Sequence, residues 1–352
     1  MKQSKITVGI LFGGQSAEHE VSLKSAEALY NNLDRDKYTP LFIFISRKDG
    51  LWHLIGETAF VQKEFLSKPL RGYSFLPWLN HEAVARIDAD IYFPMLHGPM
   101  GEDGKIQSLL ELAGKPYVGA NSVASALAMD KVVSKILFQK AGLNVGEHVF
   151  FETDDIRVIK AALAGKLSYP LFVKPSSMGS SVGISRVNDE AQLKSAVDLA
   201  WRYDRKILVE KAIDAWEIEV SVMGNEDIMV SRPGELIPHN EFYDYEDKYL
   251  DGKTTFYMPA RLEPDMEENV RQAAGKAYKA LFLNGMARVD LFIEKKTGII
   301  YINEANTIPG FTEISMFPKL WSLQGISFTE LVTRLIDYGF RYHQKHHIDT
   351  DR

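Results

Sequence analysis

Two apolar segments near the end of the chain, each bearing polar groups at alternate positions, restrict its fold more than any other stretch. In Ala287-Arg288-Val289-Asp290-Leu291-Phe292-Ile293, the arginine and the aspartate are two residues apart, so they share one face of a strand. In Ile300-Tyr301-Ile302-Asn303-Glu304-Ala305-Asn306, the same holds for Glu304 and Asn306. Lys295-Lys296-Thr297-Gly298 between them is a turn signal, so the strands should close an antiparallel hairpin. A turn centred near Thr297 sets Asp290 opposite Glu304 and Arg288 opposite Asn306. Carboxylates facing each other across a ladder repel, and on strands this apolar they are costly to bury unpaired. A hard divalent cation resolves both costs. The oxygen donors Asp290, Glu304 and Asn306, with room left for phosphate oxygens, suit magnesium. The competing reading is a solvated sheet face with one carboxylate paired to Arg288; the apolar character of the strands favours the metal.

At 352 residues the chain exceeds one ordinary core and should form two or three domains. Residues 6–12 read as a buried strand, followed by Gly13-Gly14 and a helix with Leu23, Ala26, Tyr30 and Leu33 at helical spacing. Apolar runs at 40–46 and 90–96 alternate with helical stretches, which predicts a parallel sheet with crossover helices. Residues 51–78 between them read as an irregular peripheral insertion. From about residue 120 a helix (123–141) and short strands (171–173, 183–187, 206–210) predict a small second domain. A third section has strands at 218–222 and 228–231, a long polar stretch, a helix at 266–281, and then the hairpin. The polar tail, 341–352, reads as a frayed terminus.

Composition excludes several functions. The net charge is −6 and no basic stretch is long enough to track a phosphodiester backbone, so nucleic acid is not an expected partner. The absence of cysteine rules out disulfides and thiolate metal sites. No apolar run is long enough to cross a bilayer, and the first residues lack the pattern of a signal peptide. The expected location is therefore the cytoplasm.

Phe172-Val173-Lys174-Pro175 ends a strand, and Met178-Gly179-Ser180-Ser181-Val182-Gly183 leads into the next. A glycine-rich turn between strands can aim several N–H groups at one anion, and Lys174 can add a point charge. Taken alone, the loop is better explained as an ordinary hairpin turn, and the phosphate reading gains weight only beside the carboxylate hairpin. There is no Walker A motif, since Gly252-Lys253-Thr254 lacks the upstream glycine. Glu210-Lys211-Ala212-Ile213, ahead of Glu217, can offer an adenine a flat apolar slot and edge hydrogen bonds.

Taken in order, a set of motifs resembles the D-alanine–D-alanine ligase family. They are Gly13 to Ser22, His97-Gly98-Pro99-Met100-Gly101-Glu102-Asp103-Gly104, Ala128-Met129-Asp130-Lys131, Lys174-Pro175 to Gly183, Phe242-Tyr243-Asp244-Tyr245-Glu246-Asp247-Lys248-Tyr249, and Asn303 to Thr312. They cover nearly the whole chain. The resemblance implies an ATP-grasp fold, α/β and α+β. An N-terminal parallel-sheet, Rossmann-like domain (1–121) would precede two α+β domains (122–213 and 214–352) that clamp ATP. It implies that Lys131, Lys174 and Ser181 contact phosphates, while Glu210, Lys211, Ile213 and Glu217 surround adenine and ribose. Asp290, Glu304 and Asn306 would hold two Mg2+ ions, with Mn2+ as a substitute. Glu18, with His97 nearby, would receive the ammonium of the first D-alanine. Arg288 and the Gly310 amide would steady the tetrahedral intermediate, and Ser315 and Met316 would hold the second D-alanine's carboxylate. Residues 235–253 would form a lid delivering Lys248 to the γ-phosphate and placing Tyr249 in one hydrogen-bonded group with Glu18 and Ser180. A homodimer is also implied. The tyrosine sets the chain apart from D-alanine–D-lactate ligases, some of which carry phenylalanine there. A full set of metal ligands and phosphate lysines speaks against a nucleotide-binding relative without turnover, and the dense lid match against another carboxylate substrate.

Overall fold

The computed structural model describes residues 4–67, 74–77, 84, 87–237 and 255–346. The chain opens with β1 (Ile6–Gly13), α1 (His19–Asn31), β2 (Tyr38–Ile45), β3 (Trp52–Ile55), α2 (Glu57–Val61), β4 (Ser74–Phe75), β5 (Ile91–Met95) and α3 (Lys105–Leu112). Strand β1 is apolar on both faces and lies between β2 and β5, parallel to each, as a strand covered on both sides should. The strand order is β4-β3-β2-β1-β5. Residues 51–78 depart from expectation. Instead of an irregular insertion, β3 pairs antiparallel with β2, and β4 with β3. Trp52, Phe60, Phe65 and Phe75 are buried there. These elements are too short to produce a period, so their aromatic anchors carried the only signal.

Helices α4 (Ser122–Met129) and α5 (Lys131–Lys140) replace the single helix expected over 123–141. Asp130 breaks it: its backbone is extended, and its carboxylate accepts from the amides of Val132 and Val133, capping α5. The central sheet follows, from β6 (His148–Phe151), α6 (Ile156–Leu163), β7 (Leu171–Pro175), β8 (Ser185–Val187), α7 (Glu190–Tyr203) and β9 (Ile207–Lys211), in the antiparallel order β6-β9-β7-β8. Strand β6 went unread in the sequence; Phe150 and Phe151 point to opposite faces and only one is buried.

The third sheet holds β10 (Ala215–Gly224), β11 (Ile228–Val230), β12 (Gly234–Ile237) and β13 (Thr255–Tyr257), then β14 (Gly285–Glu294) and β15 (Ile300–Asn306) after helix α8 (Pro264–Ala280). Its order is β13-β12-β10-β14-β15, with β11 beside β10. Helices α9 (Met316–Ser322) and α10 (Phe328–His346) close the described chain. One face of this sheet, with Val220, Val289 and Leu291, is buried with α8 and with Ala124, Ala128 and Phe138 of α4 and α5. The opposite face carries the polar alternation of β14.

The first and third units share a core. Val8, Ile10 and Phe12 of β1 pack in one cluster with Ile308, Phe311, Phe317, Trp321 and the buried side of α10. At about 25 cal/mol per Å2, burial of this kind outweighs most polar contacts between the units. It fixes the ends of β1 and β5 against the loop that follows β15.

Candidate active site

The hairpin register is as expected: Asp290 lies opposite Glu304, and Arg288 opposite Asn306. The route to that register is not. Nearest the turn, Leu291 pairs with Ile302, and a bulge between them and the Asp290–Glu304 pair leaves Asn303 as the extra residue. Ile302 and Ala305 are buried whereas Asn303 and Glu304 are only half-buried, so the bulge brings Glu304 and Asn306 onto the face of Asp290. Across β10, Glu219 lies opposite Asp290, so three carboxylates form a row over three strands.

Cations of the protein hold this row. Arg288 donates to both Asp290 oxygens at 2.7 Å and lies 3.4 Å from Glu219. Lys131 lies 3.1 Å from Glu304 and donates to the Met178 carbonyl at 2.8 Å. The Asn306 amide donates to Asp290 at 2.9 Å. The pairing of Arg288 with Asp290 was the mark of the competing reading, yet the face is not a solvated one. It forms one wall of a cavity of about 830 Å3 whose other wall is the central sheet. Among the described residues no three acidic or histidine side chains converge as a metal cluster. Two carboxylates and the amide of Asn306 remain, an all-oxygen donor set of the kind that suits a hard cation with phosphate as further ligand.

The facing wall carries Lys174 on β7 and Glu210 on β9. Glu210 bridges Lys174 and Lys135, each at 2.6 Å. Burial alone would raise the Glu210 carboxyl, but the two ammonium groups outweigh it and hold the carboxyl well below its ordinary range. Burial lowers the Lys135 ammonium. At Lys174 burial is outweighed by Glu210, Glu304 and Glu217, and the ammonium is raised. Ser181, Lys211, Ile213 and Glu217 line the same cavity. The glycine loop joins β7 to β8, and Ser180 and Ser181 both adopt left-handed backbone angles (φ 50° and 58°). Two such residues in a row cost about 1–3 kcal/mol each and concentrate at functional sites.

The loop also reaches the N-terminal unit. Ser180 donates a hydrogen bond to Glu18, which is buried at the start of α1. A Cβ on Gly98 would run into the Glu18 carboxylate, and one on Gly179 would lie 3.2 Å from it. Glu102 accepts from the amides of Gly98 at 3.0 Å and Ile308 at 3.3 Å. Burial first, and Glu18 second, push the Glu102 carboxyl up to about 8. His97 is buried with both ring nitrogens engaged, Nδ1 with the Ile308 carbonyl at 2.9 Å and Nε2 with Ser25 at 2.8 Å. The carbonyl can only accept, so Nδ1 carries the proton and Nε2 accepts from Ser25. Burial lowers the imidazole, in keeping with a neutral ring. His97 thus adjoins Glu18 as a tie between two units. Ser315 accepts from the Thr312 amide at 3.1 Å, and a Cβ on Gly310 would lie 3.0 Å from its hydroxyl. Met316 buries its side chain at the start of α9. Lys248 and Tyr249 lie outside the described residues. At the start of the expected lid, residues 235–237 belong to β12, where Glu235 pairs with Arg261 at 2.6 Å.

Residues 7–120 match the model described as D-ala D-ala ligase N-terminus, and 137–337 the one described as D-ala D-ala ligase C-terminus. The chain belongs to the D-alanine–D-alanine ligase family. A D-alanine–D-alanine ligase of Thermoanaerobacter sp. (strain X514) is 48% identical over 358 residues, spanning 98% of this chain and 99% of the relative. One from Acetivibrio thermocellus is 42% identical, with 95% of each covered. Among solved structures, the VanG D-Ala:D-Ser ligase of Enterococcus faecalis has a TM-score of 0.86 at 35% identity, covering 96% of this chain and all of that one. The D-alanine–D-alanine ligase from Coxiella burnetii has a TM-score of 0.82 at 35% identity, covering 97% and 96%. The fold is the ATP-grasp fold of this family. Three residues of the site escaped sequence reasoning. Glu219 could have been found from its spacing to Glu217 on a strand antiparallel to β14. Lys135 stands one helical turn after Lys131 on the same helix face. Glu102 lay inside a quoted motif without a role.

Proposed function

We propose that the chain joins two D-alanine molecules into D-alanyl-D-alanine with ATP, through a D-alanyl phosphate, releasing ADP and phosphate for the synthesis of peptidoglycan precursors. The observation that carries this reading is the Ser180–Glu18 contact, because the loop that reaches the carboxylate assigned to the ammonium also accepts from Lys131, assigned to the phosphates, at the Met178 carbonyl. The ammonium of the first D-alanine pairs with Glu18, which directs its carboxylate toward the γ-phosphate between Lys131 and Lys174. That carboxylate attacks the phosphorus and ADP leaves. The amine of the second D-alanine, held through Ser315 and the main chain of Met316, then attacks the acyl carbon, and phosphate departs. Arg288 and the Gly310 amide take up the negative charge that grows on the acyl oxygen. Two magnesium ions, with manganese as a substitute, would be held by Asp290, Glu304 and Asn306 and supply neutralisation of phosphate charge. Glu210, Lys211, Ile213 and Glu217 surround adenine and ribose, with Ser181 beside the phosphates. On this reading the stretch that follows β12, up to residue 253, would close over the cleft and exclude water from the acyl phosphate, bringing Lys248 to the γ-phosphate and Tyr249 to Glu18 and Ser180. Holding both amino acids side by side contributes up to about 7–11 kcal/mol of the barrier reduction.

The reading places the enzyme in the cytoplasm as a homodimer; no helix among the described residues is long and apolar enough to cross a membrane. The test is phosphate release from ATP with D-alanine, L-alanine, D-alanine plus D-lactate, or D-alanine plus D-serine. Turnover with D-alanine alone at neutral pH is expected. Turnover that requires D-lactate or D-serine would overturn the dipeptide assignment, and none with any acceptor would overturn catalysis.

A further inference from the structure

Lys135 has no part in the mechanism above, yet it is only 2% exposed and ion-paired in the wall of the nucleotide cavity. An ammonium so deeply buried gives up most of its hydration, and an apolar side chain of equal length would fill the same space without that loss. The geometry around it states what the charge does. Glu210 has two oxygens and two lysines, with Oε1 on Lys135 and Oε2 on Lys174, both at 2.6 Å. If Lys174 were the sole partner, one carboxylate would cancel one ammonium and the pair would present no net charge to a phosphate. With Lys135 on the far oxygen, the trio carries a net positive unit. Lys174 is more open to the cavity than Lys135, its side chain 11% exposed against 2%. The surplus charge is therefore presented from Lys174.

We propose that Lys135 is a positioning residue that sets the charge of the phosphate pocket, occupying Glu210 from behind so that Lys174 meets the nucleotide phosphates as a net cation. This rests on the reading that ATP phosphates lie at Lys174. The backbone supports the division of labour. Lys135 and Lys131 are four apart on α5 and share a face, and Lys131 reaches forward to the glycine loop and Glu304. Glu210 lies opposite Phe172 on β7, two residues before Lys174, which sets its carboxylate between strand and helix.

The test is calorimetric titration of ATP, ADP, AMP and adenosine into the wild type and into Lys135→Met, Glu210→Gln, the double variant and Lys174→Met, with folding checked by thermal melts. Lys135→Met should weaken ATP binding by about tenfold or more, since a unit charge in a poorly screened site has a large effect. Adenosine, without phosphates, should bind as before. Adding Glu210→Gln to Lys135→Met restores the net positive unit, so the ratio of ATP to adenosine affinity, in which any contact of residue 210 with adenine or ribose cancels, should return to within about threefold of wild type. Should Lys135→Met not fold, Lys135→Gln takes its place. ATP binding unchanged by loss of Lys135, an equal loss for adenosine, or no recovery in the double variant would overturn the proposal. If Lys174→Met leaves ATP binding intact, the placement of the phosphates has failed instead; if Lys174→Met weakens or abolishes binding while Lys135→Met leaves it unchanged, only the charge-setting role has failed.

Discussion

Glu102 sits on the segment between β5 and α3, and its two oxygens accept amides from Gly98 of one unit and Ile308 of another. Burial and the neighbouring Glu18 raise its carboxyl to about 8, so at neutral pH the proton is mostly retained. A carboxyl raised above its unfolded value favours the folded state fully below the ordinary range near 4.5, and that contribution is lost as pH rises through about 8. Glu102→Gln has no proton to lose. Its melting temperature relative to wild type is expected to rise steadily between about pH 5 and about pH 9. Curves that run parallel across that window would show that Glu102 does not titrate there. Gly98 is as sharply constrained: Gly98→Ala would drive a methyl into Glu18. The expected result is a raised KM for D-alanine with ATP affinity preserved, read from initial rates; an unchanged KM would remove Glu18 from the ammonium site. Asp290→Asn is expected to lower turnover at least about a hundredfold, because its charge and one of its two Arg288 contacts are lost. Phosphate release near the wild-type rate would mean that Asp290 holds no metal.

Elements reveal why the site was largely legible and the surrounding fold less so. Alternation of apolar and polar residues survives in a hairpin whatever happens elsewhere, so Asp290, Glu304 and Arg288 could be paired from spacing alone. The pairing was right for an incomplete reason, since a turn signal gives a midpoint and carries no information about a bulge at Asn303. The helix break at Asp130 was missed because Met129 and Lys131 both suit helices. The cap depends on a side chain also tied to Ser176 at 2.7 Å and to Lys206, contacts that lie 46 and 76 residues away. Edge strands β3 and β4 are too short for a period to form. Deleting Asn303 should regularise the ladder while keeping Glu304 opposite Asp290. The expected protein folds with a small change in melting temperature, but turnover falls on the order of a hundredfold, the usual effect of a misplacement of about 1 Å at a reacting site. Full activity would make the bulge dispensable.

At the scale of the molecule, the shared core decides what can exist alone. The face of the first sheet formed by Val8, Ile10 and Phe12 is covered by Phe311, Phe317, Trp321 and α10, all supplied from more than two hundred residues later. A fragment ending at Asn121 would expose that face. It is expected to bind a hydrophobic dye and to melt without a sharp transition; a cooperative melt would show that the N-terminal unit is self-sufficient. Trp321→Ala in the whole chain should cost about 3–5 kcal/mol, measured by denaturant unfolding, and should weaken both units together. This arrangement also orders events during biosynthesis. The first sheet leaves the ribosome well before its covering helices exist. At about 5–20 residues per second, its apolar side waits roughly 10–50 s for α10. The nascent chain therefore carries an uncovered apolar sheet face until α10 has been made, and Glu18 can acquire its His97–Ile308 neighbourhood only after Ile308 has left the ribosome.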